Sequence, residues 1–335
     1  MSNEKPILEI NDLVVDYETE DGVVHAVTGM NLSLGKKKTL GFVGETGAGK
    51  TTTALAVLRL IPDPPGVIKG GSIKLNGVDI LDLPLGEMRK LRGNFASMIF
   101  QDPMTSLNPA LTVGDQIAEV IETHQNVSKA EALKQSREML ETVGISEDRI
   151  FDYPHQFSGG MRQRVVIAMA LACRPKLMIA DEPTTALDVT IQAQILGVMK
   201  ELKQKYDMSM IMITHDLGIV AEICDEVSVI YAGKVVEHGS LEDVFNNTKH
   251  PYTEGLFNSL PNINRRSEML KPIQGLMPDP TEEIAGCAFA PRCVYASAKC
   301  SSEAPAIHRF GETHYILCSA YDEPDFKIKR EIAND

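Results

Sequence analysis

The segment from residue 44 to residue 51 has the glycines, lysine and threonine of a phosphate-binding loop. It reads Gly44, Glu45, Thr46, Gly47, Ala48, Gly49, Lys50 and Thr51. This matches G-x-x-x-x-G-K-S/T, in which backbone N–H groups close around the phosphates and the lysine reaches the β- and γ-phosphates. We therefore predict that the loop binds ATP or GTP. Thr51 is expected to ligate Mg²⁺, with Thr52 beside it at the nucleotide.

A second candidate site is a pair of adjacent carboxylates, Asp181 and Glu182, which follows the apolar run from Leu177 to Ala180. Adjacent acids at the carboxyl end of a buried strand are typical of a site in an α/β protein. We expect Asp181 to face Mg²⁺ and Glu182 to face the attacking water. An acidic surface turn is the alternative interpretation.

A third segment, Phe157 to Arg164, contains Ser158, Gly159 and Gly160 before a helical stretch. A helix N-terminus with this composition can bind an anion, although a plain N-cap would also explain these three residues. Here the chain resembles the ABC ATPase family, whose signature motif has this Ser-Gly-Gly core. Phe157 and Met161 depart from the commonest form of the motif, which has Leu and Gln. The resemblance implies that this helix faces the γ-phosphate of a nucleotide held by another subunit.

Further residues take their predicted roles from the order of the family's motifs. Gln101 resembles the Q-loop glutamine, which acts in catalysis and toward Mg²⁺, and Asp188 resembles the D-loop residue. His215 resembles the switch histidine that touches the γ-phosphate, whereas a lone histidine after a strand is more often structural. Tyr17 resembles the aromatic residue that stacks on adenine, and an exposed strand tyrosine is the alternative.

The pattern of elements suits these positions. Residues 7–17 and 23–34 alternate apolar and polar side chains around Asp21-Gly22, which predicts an antiparallel hairpin. Residues 112–143 have helical periodicity and predict a helical insertion. The remaining strands and helices alternate as in a parallel α/β sheet. With the resemblance, the predicted fold is an α/β P-loop ABC ATPase core with an antiparallel β subdomain and a helical subdomain, at about 102–160.

Longer strings resemble one branch of the family, the peptide-import ATPases. They are residues 101–109, 153–164, 181–190 and 250–253. The resemblance implies an ATPase that powers uptake of di- or oligopeptides with two membrane permease subunits and, indirectly, a peptide-binding protein. It also implies a second ATPase subunit, either a sibling or another copy. Nickel and glutathione importers share the pattern, so the cargo stays open.

Four of the six cysteines lie in the last fifty residues, at Cys287, Cys293, Cys300 and Cys318. In a reducing compartment such a cluster favours a metal over disulfides. The spacing lacks the close Cys pair with which structural zinc sites usually begin, which favours an iron–sulfur centre; zinc and unliganded thiols remain alternatives. The branch resemblance implies a 4Fe–4S cluster on these residues. We expect a Cys-rich, metal-bearing module at 261–322, distant from the ATP site, after an ATPase domain at 1–260 and before a charged tail at 323–335.

Composition excludes other classes. The formal net charge of −13 opposes binding to nucleic acid. No apolar run approaches the roughly 20 residues of a membrane span, and the first residues lack a secretory pattern. We expect a peripheral protein on the cytoplasmic face of the membrane. The rival interpretations are a soluble ABC ATPase of nucleic-acid maintenance or translation, which the charge opposes, and a subunit that binds ATP without cleaving it, which Glu182 and His215 oppose.

Overall fold

The structure is a computed structural model that describes residues 5–185, 187–260 and 272–329. Its strands are β1 (Leu8–Thr19), β2 (Gly22–Leu34), β3 (Thr39–Val43), β4 (Gly66–Leu75), β5 (Val78–Asp79), β6 (Ala96–Ile99), β7 (Leu177–Asp181), β8 (Ser209–Ile213), β9 (Glu226–Tyr231), β10 (Lys234–Ser240), β11 (Ile307–Arg309) and β12 (Tyr315–Leu317).

The helices are α1 (Lys50–Val57), α2 (Leu85–Leu91), α3 (Pro103–Ser106), α4 (Val113–His124), α5 (Lys129–Thr142), α6 (Gly159–Leu171), α7 (Val189–Lys205), α8 (Leu217–Ile223), α9 (Leu241–Asn246), α10 (Pro251–Asn258) and α11 (Ala298–Ser302). Within the described ranges, no helix is both long enough and apolar enough to cross a bilayer.

The described chain forms two compact units. The first contains residues 5–9, 33–39 and 74–214, and the second contains residues 10–32, 40–73 and 215–329. Both are assembled from separate stretches of sequence, and neither ends near residue 260. The predicted domain boundary at 260/261 falls at the edge of residues 261–271, which lie outside the described residues, as do residues 330–335 of the predicted tail.

The first unit contains a parallel sheet in the order β8-β7-β6. Every residue of β7 and β8 is buried. A strand covered on both faces needs a continuous apolar run, which explains why these segments do not alternate. The sheet brings the carboxyl end of β7, where Asp181 lies, beside the end of β8.

The predicted helical insertion of the first unit is confirmed as two helices, α4 and α5. The side chain of Thr112 caps α4 by accepting a hydrogen bond from Asp115 N, and Ser128 caps α5 by accepting one from Glu131 N. Such caps fix where a helix begins, because they satisfy N–H groups that have no partner inside the helix. The periodicity predicted helix throughout and did not show this break.

The second unit contains strands in the order β11-β12-β10-β9-β3. Strand β3 pairs with β9 in parallel, whereas the pairs β9–β10, β10–β12 and β12–β11 are antiparallel. In the β10–β12 pair, Glu237 lies opposite Ile316. The C-terminal segment therefore extends this sheet with two short strands. The sequence did not predict them, because three-residue strands are too short to show a period.

The second unit also holds most of β1, β2 and β4, which lie side by side. Strands β1 and β2 confirm the predicted hairpin, and its turn is closed by a hydrogen bond from Thr19 Oγ1 to Gly22 O of 2.8 Å. The side chains of Leu13 and Val15 are fully buried. This packing fixes the register of β1 and hence the position of Tyr17.

Candidate functional site

The loop from residue 44 to residue 51 joins β3 to α1 in the second unit. Gly47 and Gly49 have φ values of +83° and +96°, which side chains rarely adopt. A Cβ on Gly47 would meet nothing within 4 Å, whereas one on Gly49 would lie 2.4 Å from Ala26 O. Gly49 is therefore fixed by close packing, and Gly47 borders open space.

The lysine of the loop is buried and pre-positioned. Lys50 Nζ donates hydrogen bonds to Gly44 O at 2.7 Å and to Glu45 O at 2.8 Å. Helix α1 begins at Lys50 without a side-chain cap. Its first N–H groups and the ammonium group thus form a site of positive potential of the kind that binds phosphate.

Tyr17 is half-buried on β1 in the same unit. Its hydroxyl donates to Thr52 Oγ1 at 3.5 Å, a long contact that places the ring next to α1. A Cβ on Gly66 would lie 3.0 Å from Tyr17 Cε1. Gly66, at the start of β4, therefore leaves space at the ring edge. No local pattern predicts this contact, because the two residues are 49 positions apart.

The two adjacent acids lie in the first unit and differ in environment. Asp181 ends β7 and is buried, whereas Glu182 is partly exposed and has a φ of +47°. A left-handed conformation costs a residue other than glycine about 1–2 kcal/mol. Strain of this kind concentrates at functional sites. Here it turns the chain between the two carboxylates.

The side chains of Gln101 and Glu182 are hydrogen-bonded to each other. Gln101 Nε2 donates to Glu182 Oε2 at 2.9 Å, and Thr185 Oγ1 donates to the same oxygen at 2.9 Å. Two neutral donors hold this carboxylate as an acceptor without removing its charge. The arrangement leaves Glu182 able to accept a proton or orient a water molecule.

The predicted signature segment also lies in the first unit. Ser158 caps α6 by accepting a hydrogen bond from Met161 N, and both Ser158 and Gly159 are exposed. A Cβ on Gly160 would approach Ile191 Cγ2 to 2.5 Å. Asp188 caps α7, accepting from Ile191 N at 3.0 Å. The start of α6 and the start of α7 are therefore packed together, and this brings the signature next to Asp188.

His215 is exposed and belongs to the second unit, directly before Asp216. Asp216 caps α8 by accepting hydrogen bonds from Gly218 N and Ile219 N. The cap orients the chain at His215 without burying its imidazole. A merely structural histidine would more often be buried.

The four C-terminal thiols line one small cavity of about 20 Å³, together with Phe289, Ala290 and Pro251 of α10. All are free thiols. Burial raises the pKa of Cys287, raises that of Cys293 to about 11 and raises that of Cys318 to about 12. These thiols are therefore protonated at neutral pH unless a metal displaces the proton.

The metal-bearing character of this module stays a prediction. In the part of the chain that the structure describes, no group of three or more His, Cys, Asp or Glu side chains is placed to hold a metal ion. A single ion needs every donor within about 2.0–2.3 Å of one centre. The four thiols share a cavity without meeting that condition.

The expectation that the cysteine module lies far from the phosphate loop is wrong. Within the second unit, Arg292 Nη1 donates to Glu45 Oε1 and Oε2 at 3.1 and 3.0 Å. A cavity of about 890 Å³ is lined both by Thr46 and Gly47 and by C-terminal residues that include Cys287. The sequence could not reveal this contact, because it joins positions 247 residues apart.

Comparisons with known proteins agree with these motifs. Residues 27–185 match the ABC transporter family model, and residues 236–300 match the model of the oligopeptide/dipeptide transporter C-terminal region. The oligopeptide transport ATP-binding protein OppD of Bacillus subtilis is 51% identical over 92% of this chain and 87% of its own length. Escherichia coli OppD is 51% identical over 93% of this chain and 92% of its own length.

The chain is also similar to a dipeptide transport protein and to two solved structures. The dipeptide transport ATP-binding protein DppD of Bacillus subtilis is 46% identical, covering 95% of both chains. Among solved structures, cbiO1 from Clostridium perfringens, part of the ABC transporter complex cbiONQ, aligns with a TM-score of 0.62 and 28% identity over 72% of this chain and 92% of its own. An ATP-binding cassette solved as a dimer in a post-hydrolysis state with ADP and Pi aligns with a TM-score of 0.63 at 24% identity over 70% of this chain and 98% of its own.

Proposed function

Because the chain belongs to the family of ATP-binding subunits of ABC peptide transporters, we propose that it hydrolyses ATP to power uptake of di- or oligopeptides across the cytoplasmic membrane. The observation that carries this is the similarity to OppD and DppD over more than nine-tenths of the chain. We place the protein at the cytoplasmic face of the membrane, bound to two permease subunits that receive peptides from a binding protein. Nickel and glutathione are the alternative cargoes.

In the proposed ATP site, the backbone of residues 44–49 holds the phosphates and Lys50 contacts the β- and γ-phosphates. Support comes from the pre-positioned ammonium group, held by Gly44 O and Glu45 O. Thr51, Asp181 and Gln101 would hold Mg²⁺, which supplies charge neutralisation when bound. Tyr17 would stack on adenine, and Thr52 would help to position the nucleotide.

We assign the hydrolytic step to Glu182, assisted by Gln101 and His215. Glu182 orients the attacking water through its carboxylate, which hydrogen bonds from Gln101 and Thr185 hold in place. His215 would donate to the γ-phosphate, where charge develops as the bond breaks. The exposure of both side chains favours a role toward a ligand rather than in the core.

The chain would supply half of each complete site. The exposed N-terminus of α6 at Ser158, Gly159 and Gly160, with Asp188 beside it, suits a nucleotide bound by a second ATPase subunit. A sibling chain is our preferred partner, and a second copy is the alternative. Full turnover from dilute, isolated chain at nanomolar concentration would contradict the shared site.

We further propose the domain assignment 1–260 for the ATPase, with a helical subdomain at about 102–160, then 261–322 for the cysteine module and 323–335 for the tail. In that module, Cys287, Cys293, Cys300 and Cys318 would hold a 4Fe–4S cluster. The shared, buried cavity supports this, because each thiolate of such a cluster binds a different iron and the sulfurs need not converge on one ion.

Metal analysis of anaerobically purified protein tests the cluster. We expect about four iron and four sulfide per chain and broad absorbance near 400 nm. If the protein instead contains stoichiometric zinc and no iron, the same four thiols bind zinc and the cluster assignment is wrong. If protein purified without chelators contains neither iron nor zinc, the thiols are unliganded residues of the core.

The transport function is tested by reconstitution. The chain, its sibling, the two membrane subunits and the binding protein are placed in proteoliposomes, and uptake of labelled peptide, nickel and glutathione is measured with ATP. We expect ATP-dependent uptake of peptide alone. Uptake of nickel or glutathione instead would change the cargo, and ATP hydrolysis that no membrane subunit stimulates would favour the non-transport class.

A further inference from the structure

Glu45 is an anionic residue inside a loop that binds anions. Its backbone oxygen accepts a hydrogen bond from Lys50 Nζ at 2.8 Å, so it lies immediately beside the group that is to contact the phosphates. An uncompensated carboxylate at this position would repel a polyphosphate and compete with it for Lys50. The loop therefore needs a compensating cation.

Arg292 provides that cation from the cysteine module. Its Nη1 lies 3.1 and 3.0 Å from the two carboxylate oxygens of Glu45, and its side chain is 6% exposed, compared with 30% for Glu45. Burial shields such a pair from solvent screening, which weakens ion pairs at the surface. The Coulomb attraction within this pair is therefore screened less than in a fully exposed pair.

The arginine is itself fixed by its surroundings. Arg292 Nε donates to Gln274 O at 3.0 Å, and Nη1 donates to the hydroxyl of Tyr231 at 3.2 Å. The rings of Tyr231 and Phe289 pack edge to face at 5.3 Å. Arg292 also directly precedes Cys293, one of the four clustered thiols. Its position therefore depends on the folding of the cysteine module.

The backbone N–H of Glu45 also has a partner. Glu45 N donates to the hydroxyl of Tyr252 at 3.0 Å, and Tyr252 is fully buried at the start of α10. Burial raises the pKa of Tyr252, so the hydroxyl stays neutral. The loop residue thus has its N–H, its carbonyl and its carboxylate each bonded to a defined partner.

We propose that Arg292 is a positioning residue for nucleotide binding, which neutralises Glu45 and turns its carboxylate away from the phosphates. This gives the cysteine module a role at the ATP site: it delivers a cation to the phosphate loop of its own chain. The proposal rests on the assignment of the 44–51 loop as the ATP site.

The test uses four full-length variants: Arg292→Gln, Arg292→Lys, Glu45→Gln and the double variant Glu45→Gln/Arg292→Gln. Equilibrium affinity for a non-hydrolysable Mg-ATP analogue is measured at low and high salt. Arg292→Gln should weaken binding about tenfold at low salt, since it leaves an unpaired charge near the phosphates. High salt should reduce this loss. Arg292→Lys, which keeps the charge, should retain most of the affinity.

The double variant separates charge from scaffolding. If Arg292 acts by neutralising Glu45, removing the carboxylate restores near-normal affinity in the Arg292→Gln background. If Arg292 only anchors the module, the double variant binds as poorly as Arg292→Gln or worse, and the proposal is wrong. Should Arg292→Gln not fold, Arg292→Lys and the double variant carry the test, with thermal melting as the check on folding.

Two controls make the outcomes distinguishable. Lys299→Gln removes another cation of the module, which pairs with Asp322 at a more exposed site, and should leave affinity unchanged. Lys50→Ala tests the site itself. If Lys50→Ala loses binding and Arg292→Gln binds normally, the proposed role of Arg292 is wrong and the site assignment stands. If Lys50→Ala binds normally, the site assignment itself is wrong.

Discussion

The loop proposed to bind the phosphates and Glu182, the proposed hydrolytic carboxylate, are held in opposite ways. In the second unit, Lys50 is buried and fixed by two backbone oxygens. In the first unit, Glu182 is partly exposed, has a strained backbone and is held by the exposed side chains of Gln101 and Thr185. The loop is thus built in advance for binding, whereas the carboxylate is left able to respond to a ligand.

This contrast predicts that binding and hydrolysis can be lost separately. Binding should depend on a preformed network that tolerates few changes. Hydrolysis should depend most on the Glu182 carboxylate itself and less on each of its supporting contacts, because a hydrogen bond to a charged group contributes about 1.5–3 kcal/mol.

The largest expected effect is that of Glu182→Gln. It should lower ATP turnover by about two to four orders of magnitude while ATP binding is kept, because the amide cannot act as a base. Turnover and equilibrium binding are measured on the same preparation, in the assembled complex. Thr185→Val is the matched control, since it removes one hydrogen bond to the same oxygen and should cost less than Glu182→Gln, roughly ten- to a hundredfold at most. Near-normal turnover in Glu182→Gln would remove it from the site.

Lys50→Ala should have the next largest effect, and on binding. Losing a charge-assisted contact with the phosphates costs about 1.5–3 kcal/mol, which weakens affinity by roughly ten- to a hundredfold. Nucleotide titration followed by fluorescence measures it. Lys36→Ala, an exposed lysine before β3, is the control and should bind normally. Unchanged affinity in Lys50→Ala would show that the loop is not the binding element.

The two signature glycines should respond differently to alanine. Gly160→Ala places a methyl group 2.5 Å from Ile191 Cγ2 and should destabilise the first unit by about 1–3 kcal/mol. Gly159→Ala makes an ordinary 3.8 Å contact with Leu187 and should leave stability nearly unchanged. Denaturant unfolding compares them. If Gly159→Ala nevertheless impairs turnover in the complex, the exposed helix N-terminus is used by a ligand.

The smallest expected effect concerns pH. Burial lowers the pKa of His250 from 6.5 to about 4. The unfolded chain therefore binds a proton below pH 6.5 that the folded chain refuses until about pH 4, so this residue makes the free energy of unfolding decrease as the pH falls through that window. His250→Asn keeps an N-cap for α10 and should flatten the decrease.

Urea unfolding at pH 7 and pH 5 measures this slope. His155→Asn, at an exposed position of the first unit, is the control and should retain the wild-type slope. Nearby, Glu237 Oε2 accepts a hydrogen bond from His250 N at 3.0 Å, and its charge favours protonation without offsetting burial. An unchanged slope in His250→Asn would assign the pH dependence to other groups.

Local pattern sufficed for much of the fold. The alternation on either side of Asp21-Gly22 predicted β1 and β2, and the apolar run from Leu177 to Ala180 predicted β7, because side-chain patterns follow from backbone geometry. The short strands β11 and β12 were missed, since they are defined by pairing with β10 rather than by their own residues.

The sequence by itself determined the family and which residues are proposed for the ATP site. The phosphate loop, the acids at the end of β7 and the Ser-Gly-Gly segment are contiguous motifs, in which neighbouring residues act together. Their types and order were enough to predict an ABC ATPase of peptide import, and the similarity to OppD confirms that prediction.

Only the tertiary structure decided which residues remote in sequence contact each other. Gln101 donates to Glu182 across 81 positions, and Arg292 reaches Glu45 across 247. No local pattern encodes either pairing, because each partner is positioned by the packing of its own element. The cysteine module was therefore predicted as a separate appendage, although folding places its arginine on the phosphate loop.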